Sequence, residues 1–413
     1  MASFAHLIAA FLLLLVHGSI ASPVTVNANT NANAVQAVDA PIEAFAAPNG
    51  PVRRDDDAKT PIYYLYTLPR LVVYFQTTHN QQTGQPISML PLVTKQGIAL
   101  THLIVCSFHI GVPGSSSPDL HLNDYPPSDP RFDTLWSEVA VLQAAGVRVM
   151  GMVGGAAGGS FSSNTLDSTN TATFEIAYKQ LHDAIVKYGL QGMDLDVEQS
   201  MSQAGITRLV ERLNKDFGPQ FEVTLAPVAS ALTSGGPNLS GFSYPALAST
   251  ISASASGRIA FYNAQFYNGF GDMSSPNDYE NIVKVGSQFT PDLVLIGQIT
   301  SPAEGGNYVA PGTLKKTVTA LQDYYGSAHP LGGIMGWEYF DSEPGGQSQP
   351  WQWAQDMTKI LRPNQTPAIL ISKSDAQRLT AVYSASTIKV AGGGYEPNAA
   401  VEPGVDYMAM VNV

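Results

Sequence analysis

Short apolar runs recur along the chain from Arg70 onward: Leu71 to Gln76, His102 to Ile110, Val147 to Val153, Gly192 to Glu198, Phe221 to Val228, Ile259 to Asn268, Leu293 to Ile299 and Gly333 to Phe340. Most are rich in Val, Ile, Leu and Phe with little alternation, the pattern of strands buried on both faces. Stretches of helical periodicity lie between several of them, at Asp133 to Ala145, Phe174 to Tyr188, Ser202 to Phe217 and Pro311 to Tyr325. Eight buried strands with intervening helices predict an α/β chain folded as a (β/α)8 TIM barrel over about Arg70 to Leu361. An open doubly wound sheet is the competing arrangement, but it normally carries an early glycine-rich phosphate turn, and this chain has none.

The fourth run breaks the apolar pattern, because Asp194, Asp196 and Glu198 sit two residues apart within it. Alternation puts Gly192, Asp194, Asp196 and Glu198 on one face of a strand and Met193, Leu195 and Val197 on the other. A solvated edge strand would explain this alternation without any function. The helical stretches on either side argue instead for a central strand, where burial forces the three acids together. Like charges at low dielectric cannot all ionise, so at least one would keep its proton near neutral pH, as a general acid must.

Barrel enzymes work at the C-terminal ends of their strands. Glu198 falls at that end of the fourth run. Other polar or aromatic residues at strand ends join it as candidates: Tyr74 and Gln76 on the first, Gln265, Tyr267 and Asn268 on the sixth, Gln298 on the seventh, and Trp337 and Glu338 on the eighth. Asn263, Gln265 and Tyr267 share one face, expected to be the inward one. The third run ends in a glycine-rich loop, Gly154 to Ser160, without the Gly-Lys-Ser/Thr ending of a phosphate loop. Close approach of backbone to a ligand or a neighbouring strand explains these glycines better.

Composition narrows the partners. The 413 residues carry a formal net charge of -12 and no basic cluster, which argues against nucleic acid or an anionic membrane and for a neutral or weakly charged ligand. An apolar run, Leu7 to Val16, precedes Ser19-Ile-Ala21, so residues 1–21 read as a secretory signal. Residues 22–54 are rich in Ala, Asn, Val and Pro and end in Arg53-Arg54, as a pro-segment with dibasic processing would; an attached disordered linker is the alternative. The catalytic domain is then expected over 55–362, followed by an extension, 363–413, with a modest helical patch at Ser374 to Tyr383, either docked on the barrel or removable.

Cys106 is the sole cysteine, so no intramolecular disulfide can form, and it reads as a buried small hydrophobe. Asn238-Leu-Ser240 and Asn364-Gln-Thr366 are glycosylation sequons usable on a secretory route. His79, His102, His109 and His121 lack ligand spacing, so no metal and no cofactor is expected.

The segment Gln191 to Glu198 resembles the Asp-Gly-x-Asp-x-Asp-x-Glu motif of glycoside hydrolase family 18. Met152-Val-Gly-Gly155 is similar to that family's Ser-x-Gly-Gly motif, and Gln265 to Asn268 and Gly333 to Trp337 extend the likeness over the whole barrel. Within the family the chain is similar to the secreted fungal endo-β-N-acetylglucosaminidases of the Endo T type, through Tyr74 to His79, Gly151 to Ala157, Met193 to Gln199, Met335 to Phe340 and the tail Asp406 to Asn412.

That resemblance implies cleavage in the chitobiose core of N-glycans by a retaining, substrate-assisted route. Glu198 would be acid and then base, Asp196 would orient the substrate acetamide, Asp194 would support Asp196, Tyr267 would donate to the acetamide carbonyl, and Trp337 would floor the sugar subsite. Two departures stand out. Gln191 replaces the motif's first Asp outside the acidic face, where the cost should be small. Met152 replaces a Ser whose hydroxyl would support Asp194. A chitinase acting on linear chitin is the alternative, and a non-catalytic sugar-binding barrel is the alternative of another class. A monomer is expected.

Overall fold

The computed structural model describes residues 68–388, Ser256 excepted. The expected signal peptide, pro-segment and final part of the extension, including Asp406 to Asn412, lie outside the described residues.

Eight parallel strands close into a barrel: β1 (Arg70–Phe75), β2 (His102–His109), β4 (Arg148–Gly154), β5 (Gly192–Asp196), β6 (Glu222–Leu225), β7 (Tyr262–Gln265), β8 (Val294–Ile299) and β9 (Gly333–Trp337). A two-residue strand, β3 (His121–Leu122), adds antiparallel to β2 within the long loop that follows it. Closure comes from β1, which pairs with β2 on one side and β9 on the other. Expected and observed strands coincide in all eight runs, though the strands proper end sooner. Glu198, Tyr267 and Asn268 lie just beyond theirs, in the loops of the mouth.

Alternation divides each strand between two cores. Leu71, Val73, Leu103, Val105, Val149, Val153, Met193 and Leu195 face outward into the large layer shared with the helices. Val72, Tyr74, Ile104, Cys106, Met150, Met152, Leu295, Ile299 and Met335 fill the barrel interior. Cys106 is fully buried there, and burial pushes its thiol well up, so it packs as an inert hydrophobe. The acidic residues of β5 stand in this interior together with the buried polar side chains of Thr224, Asn263 and Gln265.

The helical ring contains α2 (Asp133–Ala144), α3 (Thr171–Tyr188), α4 (Gln203–Phe217), α5 (Tyr244–Ala253), α6 (Asn277–Ile282), α7 (Pro311–Tyr325) and α8 (Trp351–Leu361), with a single turn, α1 (Pro91–Thr94), after β1. Capping follows the sequence: Asn170 accepts from Thr173 N–H to start α3, and Gly189, at φ 59°, ends it in the left-handed conformation. The apolar face of α8 (Trp353, Ala354, Met357, Ile360, Leu361) has helical spacing that could have been read from the sequence. A Cβ at Gly336 of β9 would lie 2.4 Å from the Trp353 ring, so the glycine lets α8 lie directly on the strand. In contrast, α5 is built largely from Ala, Ser and Thr and carries little periodic signal.

Past α8, the described part of the extension forms α9 (Lys373–Ile388), whose Ala376 and Leu379 bury themselves against Val141 of α2. Among the described residues no helix is long and apolar enough to cross a membrane.

The N-terminal end of the barrel is plugged by polar side chains from strand starts. His102 Nε2 lies 2.9 Å from Glu222 Oε2, and Arg148 Nε lies 3.4 Å from Glu222 Oε1. Arg70 donates to the Asp292 carbonyl and covers the Phe261 ring. Burial lowers the His102 imidazole, against the hydrogen bond and charge of Glu222. Burial alone would raise Glu222, but His102, Arg148 and Arg70 bring it down to about 2.

Candidate active site

The mouth is organised by three acids at successive inward positions of β5 and the residue pair after it. Asp194 lies deepest, fully buried, and accepts hydrogen bonds from Tyr74 OH at 2.8 Å, from Asn263 Nδ2 at 3.1 Å and from the Thr224 hydroxyl. These donors come from β1, β7 and β6, so a carboxylate on one strand ties together four sides of the interior. Burial still leaves Asp194 above the usual carboxylate range, although the three hydrogen bonds oppose it.

Asp196 is one step nearer the mouth and 5% exposed. Burial first, then the charges of Glu198 and Asp194, hold its carboxyl well above the ordinary range. Glu198, next along the ladder, is also raised by burial. The Gln265 amide nitrogen connects the two, lying 3.1 Å from Asp196 Oδ1 and 3.2 Å from Glu198 Oε1 while 2.9 Å from the Ala226 carbonyl. The upper two acids thus share a donor that the backbone of the next strand anchors.

The glycine-rich loop after β4 backs this pair. Gly155 N–H donates to the Asp196 carbonyl at 2.9 Å, and a Cβ on Gly154, whose φ is 108°, would lie 2.2 Å from that oxygen. Gln199 completes the support by accepting from Gly159 N–H at 2.6 Å. Hence the loop packs backbone against the acid-bearing strand, as its glycines suggest.

Tyr267 faces the ladder from β7's end. Burial and the charges of Asp196, Glu198 and Asp194 push its hydroxyl well up, so it stays protonated and able to donate. Trp337, half-buried, tilts against Tyr74 with ring centroids 5.6 Å apart.

The remaining strand-end candidates are employed differently. Tyr74 lies below the mouth and serves Asp194. Gln298 is corrected: its flanking positions Leu295 and Ile299 line the interior, so alternation turns Gln298 away, and its amide nitrogen meets the Gly297 carbonyl at 2.6 Å. Asn268, exposed at the mouth, also ties two loops by accepting from Gly306 N–H at 2.8 Å, while Asn307 answers by accepting from Gly269 N–H at 2.9 Å.

Glu338 does not point an open carboxylate at a ligand. It accepts from Gln76 N–H at 2.9 Å, Thr77 N–H at 2.7 Å and the Thr77 hydroxyl at 2.8 Å, sewing β9's end to the loop after β1. Gln76 enters that seam through its backbone. The two sequon asparagines, Asn238 and Asn364, are exposed and stand apart from this constellation; Asn238 Nδ2 donates to the Phe242 carbonyl.

Sequence reasoning missed Thr224, although it is the only hydroxyl inside β6. It also undervalued Asn263. Both matter because, with Tyr74, they are the side chains that donate to Asp194. Gln191 sits at the other end of β5, where its side-chain oxygen accepts from Val149 N–H at 2.9 Å, away from the acids. Among the described residues no group of His, Cys, Asp and Glu is arranged to hold a metal ion.

No family model matches the chain. Among solved structures it is similar to a fungal endo-β-N-acetylglucosaminidase from glycosyl hydrolase family 18, with 56% identity and a TM-score of 0.67 over 72% of this chain and 100% of the other. It is also similar to the chitinase ChiC from Aspergillus fumigatus, at 41% identity and a TM-score of 0.60 over 70% of this chain and 98% of that one. Endochitinase 4 of Metarhizium robertsii is 25% identical over 231 residues, a match spanning 49% of this chain and 63% of that protein, less than two thirds of its length.

Proposed function

The chain belongs to glycosyl hydrolase family 18, and on that premise we propose that it is a secreted endo-β-N-acetylglucosaminidase that hydrolyses the β-1,4 bond of the chitobiose core of N-glycans with retention. The observation that carries the reading is the Gln265 amide held between Asp196 and Glu198 above a fully supported Asp194. The similarity to an endo-β-N-acetylglucosaminidase at 56% identity supports this substrate class.

Glu198, whose protonated form burial favours, is the acid in this reading. It gives that proton to the glycosidic oxygen as the bond from the anomeric carbon breaks. A second carboxylate would serve as nucleophile in an ordinary retaining glycosidase. Here Asp196 shares Gln265 with the acid, and Glu338 spends its oxygens on the seam between β1 and β9. Substrate-assisted cleavage is the exception that this family makes, so the substrate's own acetamide oxygen closes onto the anomeric carbon and forms an oxazolinium ring. Asp196 accepts the acetamide N–H and balances its positive charge, and Tyr267 donates to the acetamide oxygen. Water then attacks the same carbon, Glu198 takes the water's proton, and the ring reopens with the starting configuration restored. Preorganised groups of this kind can supply a large share of the barrier reduction.

Chitin hydrolysis is the second reading, favoured by the 41% identity to the Aspergillus fumigatus chitinase. Parallel digestion of a high-mannose glycoprotein and of chitin oligomers, with mass spectrometry of the released sugars, separates the two. Release of glycans ending in one N-acetylglucosamine is the expected result; cleavage of the oligomers alone would sink the first reading. If neither is cleaved and Glu198→Gln binds glycan as wild type does, the barrel is a sugar-binding protein.

A further inference from the structure

Near its C-terminal end β2 carries a hydroxyl to which the reaction above gives no task. Val105 pairs with Gly151 and Phe108 with Val153, so two residues, Cys106 and Ser107, stand against the single Met152 of β4. Val105 and Phe108 face the outer layer, and Cys106 lies in the interior. The extra residue makes a bulge, which interrupts the alternation and turns Ser107 inward as well. Ser107 is 3% exposed, and among the described residues no hydrogen bond engages its hydroxyl.

The space at Gly155 shows what that hydroxyl faces. A Cβ on this glycine would lie 3.8 Å from Ser107 Oγ, 3.7 Å from Asp196 Oδ2 and 3.5 Å from Met152 Cε. These are ordinary van der Waals separations, so the glycine leaves a notch enclosed by the hydroxyl, the carboxylate and the methyl. Gln265 engages Asp196 through Oδ1, and Oδ2 is the oxygen on the side of Ser107.

Asn123, in the long loop after β2, holds Ser107 in this place. Its Oδ1 accepts from Ser107 N–H at 3.1 Å, its own N–H donates to the Ser107 carbonyl at 2.8 Å, and its Nδ2 donates to the Gln76 carbonyl at 3.0 Å. Asn123 does this from the left-handed region, at φ 52°, which asparagine adopts more readily than most residues. Both backbone groups of the bulged residue are thereby fixed, and the clamp is anchored to the end of β1.

We propose that Ser107 and Asn123 are positioning residues for the reaction: the Ser107 hydroxyl is a second donor to Asp196, at Oδ2, and Asn123 keeps it in range. This rests on the reading of Asp196 as the carboxylate that accepts the acetamide N–H. The bond belongs to the complex with substrate, in which Oδ2 receives the acetamide N–H on one side and the hydroxyl on the other. Asp196 must be ionised for that task, yet burial and the charges of Glu198 and Asp194 oppose its charge. The other ionisable groups facing it are the Cys106 thiol and the hydroxyls of Tyr74, Tyr244 and Tyr267, each pushed up in part by the Asp196 charge. A hydroxyl donated to Oδ2 favours the charged form.

Ser107→Ala should lower kcat about tenfold, as loss of one hydrogen bond to a charged group does, with KM changed much less and the melting temperature kept. Because the lost donor favoured the carboxylate, the acidic limb of kcat should also move to higher pH by about one unit. Ser107→Thr retains the hydroxyl and should bring the limb back. A thiazoline analogue of the oxazolinium ring, built on the glycan that wild type cleaves, should bind Ser107→Ala about tenfold more weakly than wild type. Asn123→Gly suits the backbone at φ 52° and removes only the side chain. It should reproduce the shift of the limb.

An unchanged acidic limb together with unchanged thiazoline binding in Ser107→Ala would overturn the proposal while the functional reading stands. If Asn123→Gly lowers the melting temperature and leaves the limb where it was, Asn123 is a loop anchor and its part is overturned. Wild type that neither cleaves glycan or chitin oligomers nor binds the thiazoline sinks the functional reading, and this proposal with it.

Discussion

The two ends of the barrel bury acidic groups in opposite ways. At the closed end Glu222 meets His102, Arg148 and Arg70 and is held down to about 2. At the mouth Asp194, Asp196 and Glu198 meet one another and neutral donors, and all are raised. The closed end therefore favours a charge and the mouth favours a proton. A buried acid stabilises the fold when it is given cations; given other acids, it becomes available for proton transfer at the expense of stability.

The largest effect that would test this contrast is at the mouth. Glu198→Gln should lower kcat by about a thousandfold, the range of general acid catalysis, without lowering the melting temperature. A clear loss of stability would mean that the mouth acid is structural, and the contrast would break.

At the closed end the expectation is reversed. A carboxylate held below its unfolded value stabilises the fold above that value, and the contribution disappears as pH falls through the folded value. Glu222→Gln should therefore destabilise the protein by up to about 3 kcal/mol at pH 7, with the difference from wild type closing toward pH 2. The pH profile of kcat should be unchanged. Denaturant midpoints across pH, beside initial rates, check both statements.

The mouth acids have the other sign. A carboxyl held above its unfolded value adds stability below the unfolded value and loses it as pH rises through the folded one. Wild type should weaken as pH rises above the ordinary carboxylate range, and Asp196→Asn should flatten that slope while abolishing turnover. A slope left intact in Asp196→Asn would place the titration elsewhere.

The smallest effect is expected from Thr224→Val. It removes one of three donors to Asp194 and should cost about 1 kcal/mol with a several-fold fall in kcat. If kcat is untouched while stability drops, Asp194 contributes to the fold alone.

Much of this arrangement was legible in the sequence, for identifiable reasons. Buried strands and a strict two-residue period place Asp194, Asp196 and Glu198 on one face, and the same period places Asn263, Gln265 and Tyr267 opposite. The period loses its force once a strand ends. Asn268 and Glu338 lie in loop conformations, where their hydrogen-bond partners, Gly306 and Thr77, come from distant segments. Gln298 fails differently, since it sits within a strand and a check of its parity against Leu295 and Ile299 would have turned it outward.

The seam made by Glu338 has a bearing on how the molecule is made. Its carboxylate joins residues separated in sequence by 262 positions, at Gln76, and it closes the mouth between the first and last barrel strands. A chain emerging from the ribosome carries the acids of β5 long before β9 exists to complete the wall behind them. Its ladder can be in place while Trp337 is still unmade, so the growing polypeptide has no finished mouth until β9 has been added.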